Sequence, residues 1–141
     1  MRLHEAKKID ENAVHANLVQ ESVCASLCMG LQSHIWHLQT KSYAAHKALG
    51  DFYEFLQEEA DKLAETFMGT GAEFSYRGHE DIANFVSKED LVARITNFRN
   101  KLNDNQAEIM GNENATLHGC GDIILDIVKE SDKLLYLLTL E

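Results

Sequence analysis

No proline occurs anywhere in the 141 residues. Proline is the residue that most often kinks or ends a helix, so long helices are free to run wherever apolar residues recur at steps of three and four. Such steps dominate this chain and predict an all-α protein. At 45% apolar residues it can build a real hydrophobic core. No internal repeat, low-complexity segment or linker divides it, so residues 1–141 are expected to form a single domain.

Four helices follow from the periodicity. Helix A is predicted from Asn12 to Leu38, with Leu27, Leu31, Ile35 and Leu38 as its core stripe. Helix B is predicted from Ser42 to Met68, with Ala45/His46, Leu49, Phe52/Tyr53, Leu56, Ala60, Leu63 and Phe67 turned inward. One helix from residue 12 to 68 would be about 85 Å long, too long for a compact domain of this size. The polar run Gln39-Thr40-Lys41-Ser42 therefore supplies a turn and a cap. Gly69, Gly71 and Gly78 mark a long connection, with a short helical piece expected at EDIANFV, residues 80–86. Ser87-Lys88-Glu89-Asp90 has the form of a capping box and should start helix C, whose core face is Leu91, Ile95, Phe98, Leu102 and Ile109. Gly111 ends that helix. Asn114 or Thr116 caps helix D, which carries Ile123, Ile127, Leu134 and Leu138. A tight A–B hairpin, a long B–C crossover and a short C–D turn describe a ferritin-like four-helix bundle.

Thirteen basic against twenty-three acidic residues give a net charge of -10, which disfavours nucleic acid and anionic membranes as partners and favours attraction of cations. Arg2, Lys7 and Lys8 are offset by Glu5, Asp10 and Glu11. No apolar run approaches the ~18 residues of a membrane span, and the first residues lack the order of a signal peptide. Three cysteines, Cys24, Cys28 and Cys120, form no disulfide pattern, so a cytoplasmic location is expected. Cys24 and Cys28 are read as small core residues.

HIWHLQTKSYAAH, residues 34–46, holds three of the seven histidines. Folding the hairpin about Thr40 places His34 and His46 at equal height on adjacent helices, where two imidazoles can flank a metal. Asp51, Glu54, Glu58, Asp61 and Glu65, spaced 3, 4, 3 and 4, make one carboxylate stripe on helix B. Like charges at i, i+4 cost about a few tenths of a kcal/mol per pair, so helix stability does not ask for this row. A histidine on an apolar stripe also fits a packed core, and an acidic stripe also fits a solvated face. Mixed imidazole and carboxylate donors suit iron, manganese or zinc, and Asp61 and Glu65 can reach one cation together. None of the seven histidines has Glu three residues before it, which excludes the single-chain Glu-x-x-His di-iron site. His46 and Asp61 lie about 22 Å apart along one straight helix, whereas metal bonds are about 2 Å. One chain cannot join them. Two chains can, as a two-fold dimer with its axis near Glu54 and Phe55. His4, His15, His79 and His118 show no partner spacing and are read as surface or loop residues.

The spacing of His34, His46, Asp61 and Glu65 resembles the ferroxidase signature of Dps-type miniferritins. Trp36 resembles the His-Trp end of that family's first long helix, set one residue later, and SDKLLYLLTLE resembles its last helix. The resemblance implies a catalytic and metal-binding set of His34, His46, Asp61 and Glu65 shared across a two-fold interface. It also implies iron oxidised by peroxide or oxygen, and storage or detoxification in a dodecameric cage. It implies a third acidic ligand one turn after the second histidine as well. Gly50 stands there, with Asp51 displaced around the helix and His37 as a substitute ligand; Asp51 and Glu58 are weaker candidates. HLQTKSYAAHKALGDFYE further resembles small ferritin-like proteins of bacteriophages. The rival expectations are a non-catalytic ferritin-like structural or interaction protein and a bundle holding zinc or manganese structurally.

Overall fold

The computed structural model describes residues 3–78 and 81–140, with side chains placed from residue 12 onward. It is a four-helix bundle. The helices are α1 (Leu3–Gln39), α2 (Tyr43–Met68), α3 (Lys88–Met110) and α4 (His118–Leu138), with one short 3₁₀ turn, Ala115–Leu117, before α4. The expected boundaries hold to within a residue or two, except that α1 starts nine residues before Asn12, because nothing in its polar first turns stops a helix.

The starts of α2 and α3 are capped as their sequences demand. Ser42 accepts from the Ala45 N–H at 3.1 Å and Ser87 from the Asp90 N–H at 3.1 Å. Glu89 and Asp90 sit in the first turn of α3, where the helix dipole favours negative charge. Asn114 caps the 3₁₀ turn through the Thr116 N–H at 3.0 Å, whereas α4 itself starts after Leu117 with no side-chain cap, which corrects the expected capping of helix D by Asn114 or Thr116. Gly69 and Gly111 close α2 and α3.

The apolar stripes of α2, α3 and α4 are buried as expected, down to full burial of Leu56, Leu63, Ile95, Leu102 and Ile127. Truncating one of these leucines to alanine costs about 2–5 kcal/mol. Helix α1 departs from expectation. Leu27, Leu31 and Leu38 are 41%, 53% and 69% exposed, while Val19, Val23, Met29 and Trp36 turn inward beside Ser22, Ser26 and Ser33. The inward face is built of small residues. Ser22 and Ser33 donate to the Leu18 and Met29 carbonyls of their own helix, and the Cβ that Gly30 lacks would lie 3.7 Å from Leu56 Cβ. Small residues let α1 and α2 approach closely, and the Ser22 and Ser33 hydroxyls bury paired to their own helix, whereas Ser26 Oγ is buried without a partner among the described residues.

The connection from α2 to α3 travels along α1, held by glutamine side chains. The Ser75 N–H donates to Gln20 at 3.1 Å, and the Phe85 N–H to Gln39 at 2.6 Å. Gln32 accepts from the Ala83 N–H and donates to the Ala83 carbonyl, both at 2.8 Å. These bonds satisfy backbone groups that a helix would satisfy internally. Residues 81–86 are accordingly not helical, which corrects the expected helical piece; Glu80 lies outside the described residues. Helix α3 then starts beside the end of α1, with Arg94 5.2 Å over the Trp36 ring, and finishes beside its beginning, where Asn112 bonds Asn12. Helices α2 and α3 therefore run in the same direction. Among the described residues no helix is long and apolar enough to cross a membrane.

Candidate functional site at the α1–α2 hairpin

The turn between α1 and α2 occupies residues 40–42. Its centre lies past Thr40, so the residue opposite His46 is His37, not His34. This corrects the expected His34–His46 pairing by one helical turn. His37 Nδ1 lies 2.5 Å from the His46 carbonyl oxygen and His46 Nδ1 2.7 Å from the His37 carbonyl oxygen. The two rings stack at 3.8 Å and 17°. A carbonyl only accepts, so each Nδ1 must carry its proton and donate. In the neutral ring this leaves the lone pair on Nε2, the nitrogen that a metal takes when the other is fixed this way.

His34 sits one turn away, its ring stacked on Tyr53 at 4.0 Å and 9° and 6.1 Å from the His37 ring. Tyr53 also meets the edge of His37 at 5.3 Å. Neither the Tyr53 contacts nor the reciprocal bonds can be read from spacing; the nearest signal is that Tyr53 shares a stripe with His46 and Gly50.

Gly50 acquires a physical meaning. A Cβ there would lie 3.0 Å from His37 Cε1 and 3.1 Å from His37 Nδ1. The imidazole lies against the space that a side chain at position 50 would enter, so any Cβ there requires the His37 ring to give by a few tenths of an ångström. The histidine pair, Gly50, Asp51, Tyr53 and Glu54 surround an open cleft of about 310 Å³, with Lys47 and Tyr43 on its rim.

The carboxylate row runs from this cleft, where Asp51 and Glu54 lie, to the opposite pole, where Asp61 and Glu65 lie. Asp51, Glu54, Glu58, Asp61 and Glu65 are all exposed. Among the described residues no hydrogen bond or ion pair engages them. Asp61 and Glu65 stand at the far end of α2 from the histidines, and no group of three or more His, Cys, Asp or Glu side chains among the described residues is arranged to hold a metal ion. A single chain thus brings His37 and His46 together and leaves Asp61 and Glu65 apart from them. Between the poles, His34 shares its face of α1 with the exposed Leu27, Leu31 and Leu38, at steps of four, three and four.

The remaining candidates are structural. His15 is buried rather than at the surface, its Nδ1 2.8 Å from Asn112 Nδ2. His118 donates through Nε2 to the Asn112 carbonyl at 2.8 Å. His4 and His79 lie outside the described residues, as do the side chains of Arg2, Lys7, Lys8 and the acids that offset them. All three cysteines are free. Burial pushes the Cys120 thiol up to about 11. Cys28 lies 3.7 Å from the Tyr76 hydroxyl, and that contact raises the Tyr76 phenol above its usual range. Trp36 is fully buried and is a packing residue.

Residues 37–138, well over half of the chain, match the model of a family described as a family of unknown function (DUF5856). The chain belongs to that family. The DUF5856 match takes in His37, His46, Gly50, Asp61 and Glu65 and begins three residues after His34. No curated protein and no solved structure matches the chain.

Proposed function

We propose that this DUF5856 chain is a ferritin-like protein that binds and oxidises Fe(II) at sites shared between two copies of itself. The reading rests on one observation above all, the division of the hairpin into an imidazole pole and an unpaired carboxylate pole. A second hairpin packed antiparallel, with its axis near Glu54 and Phe55, sets Asp61 and Glu65 of one copy against the histidines of the other. The exposed leucines beside His34 supply an apolar seam for such a copy to cover. The tight hairpin, the connection returning along α1 and the common direction of α2 and α3 support the ferritin-like class.

Iron is the substrate here. His34, His46, Asp61 and Glu65 hold it, with His37 as an added donor, and the acidic row concentrates cations toward the interface. Two ferrous ions give up one electron each to a peroxide, or to oxygen in successive steps, and become ferric. Storage of the ferric product in a larger cage, in the cytoplasm, belongs to the same proposal. Gly50 favours a second reading, a bundle without turnover that serves as a structural or interaction protein, of the kind that phage-encoded relatives would offer, or that holds zinc or manganese inertly.

Anaerobic Fe(II) titration followed by peroxide separates these readings. Oxidation of two irons per site, abolished in the Asp61→Ala/Glu65→Ala double variant while helicity is kept, supports the ferroxidase. Metal held without oxidation, or oxidation unchanged in the double variant, contradicts it.

A further inference from the structure

We infer that residues 82–86 form an open strand edge through which the chain pairs with a second copy of itself, antiparallel, about a two-fold axis at Asn84. This contact is separate from the α1–α2 hairpin and needs no metal.

The segment is extended because of what holds it. Gln32 accepts from the Ala83 N–H and donates to the Ala83 carbonyl, both at 2.8 Å, as a neighbouring strand would. Gln39 accepts from the Phe85 N–H at 2.6 Å, and Arg94 donates to the Asp81 carbonyl at 3.1 Å. Gln32 and Gln39 lie about 10 Å apart along α1, whereas two residues of chain reach at most about 7 Å. The stretch from Ala83 to Phe85 is therefore drawn out near its limit. In an extended chain, successive residues turn their N–H and C=O groups to opposite edges. Asp81, Ala83 and Phe85 face the bundle, so Ile82, Asn84 and Val86 face away from it. Among the described residues nothing bonds the backbone of those three, and all three are exposed.

This edge is also unguarded. IANFV, residues 82–86, holds neither a charge nor a proline, two devices that keep exposed edges from pairing.

The order of its residues decides what it meets. Turned about Asn84, the segment sets Ile82 of one copy opposite Val86 of the other, and Val86 opposite Ile82. Both are exposed apolar residues, and β-branched pairs across strands stabilise a sheet. Asn84 then faces its own copy. In this register each outward N–H of both chains finds a carbonyl, while the Ala83–Phe85 pairs between them keep their bonds to glutamine and need no others. Other antiparallel registers leave Ile82 and Val86 without apolar counterparts. So short a contact falls below the ~1,200 Å² of a stable interface, so it forms only at high protein concentration or beside a second contact.

The test uses the full chain carrying Leu31→Glu, which removes the hairpin interface, so failure here is distinguishable from failure of the iron reading. Amide exchange is followed by NMR between roughly 20 µM and 1 mM protein. The amides of Ile82, Asn84 and Val86 are expected to exchange fast when dilute and to slow together, roughly tenfold where about nine-tenths of chains are paired. Those of Ala83 and Phe85 stay protected throughout, which reports an intact fold. Position 84 then fixes the register. Asn84→Lys and Asn84→Asp each weaken self-association by roughly fivefold, since like charges meet at the axis, and an equal mixture of the two restores it as a mixed dimer. Outward amides that exchange equally fast at both concentrations overturn the inference. So does association indifferent to charge at position 84, or protection that appears with an added valine-rich peptide and not with more of the chain itself.

Discussion

The two ends of the α1–α2 hairpin carry polar groups in opposite conditions. At the turn, His37 and His46 are stacked, each tied to the other's backbone. At the far end, Asp61 and Glu65 are exposed and, among the described residues, bonded to nothing. A group locked by a backbone bond loses little entropy when it binds, whereas a free carboxylate must be ordered by whatever it meets. The turn end is therefore a prepared half and the far end a half that waits for its counterpart. A dimer joins them.

The contrast can be broken most forcefully at the seam. Leu31, 53% exposed beside His34, becomes interior when a second copy packs there. Leu31→Glu places an unpaired charge in that interface, at a cost of about 3 kcal/mol or roughly a hundredfold in association. Light scattering is expected to show the dimer falling to a monomer, with iron oxidation lost and helicity retained. At the turn end, Gly50→Asp displaces the His37 ring and opens the reciprocal bonds, with an expected loss of about 1–3 kcal/mol in urea denaturation. At the far end the sign reverses. Asp61→Asn with Glu65→Gln relieves repulsion along α2 and should stabilise the monomer by a few tenths of a kcal/mol, about the size of one i, i+4 pair. A residue row kept at a cost to stability is what a functional end predicts; a loss of stability on neutralisation would mark the row as structural.

The smallest effect concerns the cysteines. Cys28 is half-buried, Cys24 and Cys120 are buried, and mass spectrometry after brief alkylation at neutral pH should find Cys28 modified first. Cys120 also gives a pH signature. Its thiol is raised from 9.0 to about 11 by burial, so the unfolded chain releases the proton first. The contribution of Cys120 to stability is complete below about 9 and declines as pH rises toward 11.

Much of this molecule was legible in its sequence where one stripe had one meaning. Helices α2, α3 and α4 each carry a single apolar face, and that face is the core. Helix α1 carries two. Its leucines at 27, 31 and 38 look like a core stripe, but the buried side is made of Ser22, Ser26, Gly30 and Ser33 with Val23 and Trp36, a set with no apolar period to detect. The register of the hairpin was missed by one turn, because residues 40–42 form the turn and move its centre beyond Thr40. The separation of Asp61 from His46 was legible, since rise per residue fixes it. The glutamine strap from Gln20 to Gln39 was not, as side chains that bond a distant backbone leave no pattern in the sequence.

Complementation between two defective chains tests the shared site most directly. One chain carries His34→Ala and His46→Ala, the other Asp61→Ala and Glu65→Ala, and each alone is expected to lack rapid Fe(II) oxidation. In a mixed dimer of the two, one interface site receives intact histidines from one chain and intact carboxylates from the other, while its twin receives neither. Stopped-flow oxidation of the mixed dimer should therefore return to about half the rate of the unaltered protein. A mixed dimer, verified by native mass spectrometry, that stays as inactive as its parents would contradict a site built from two copies.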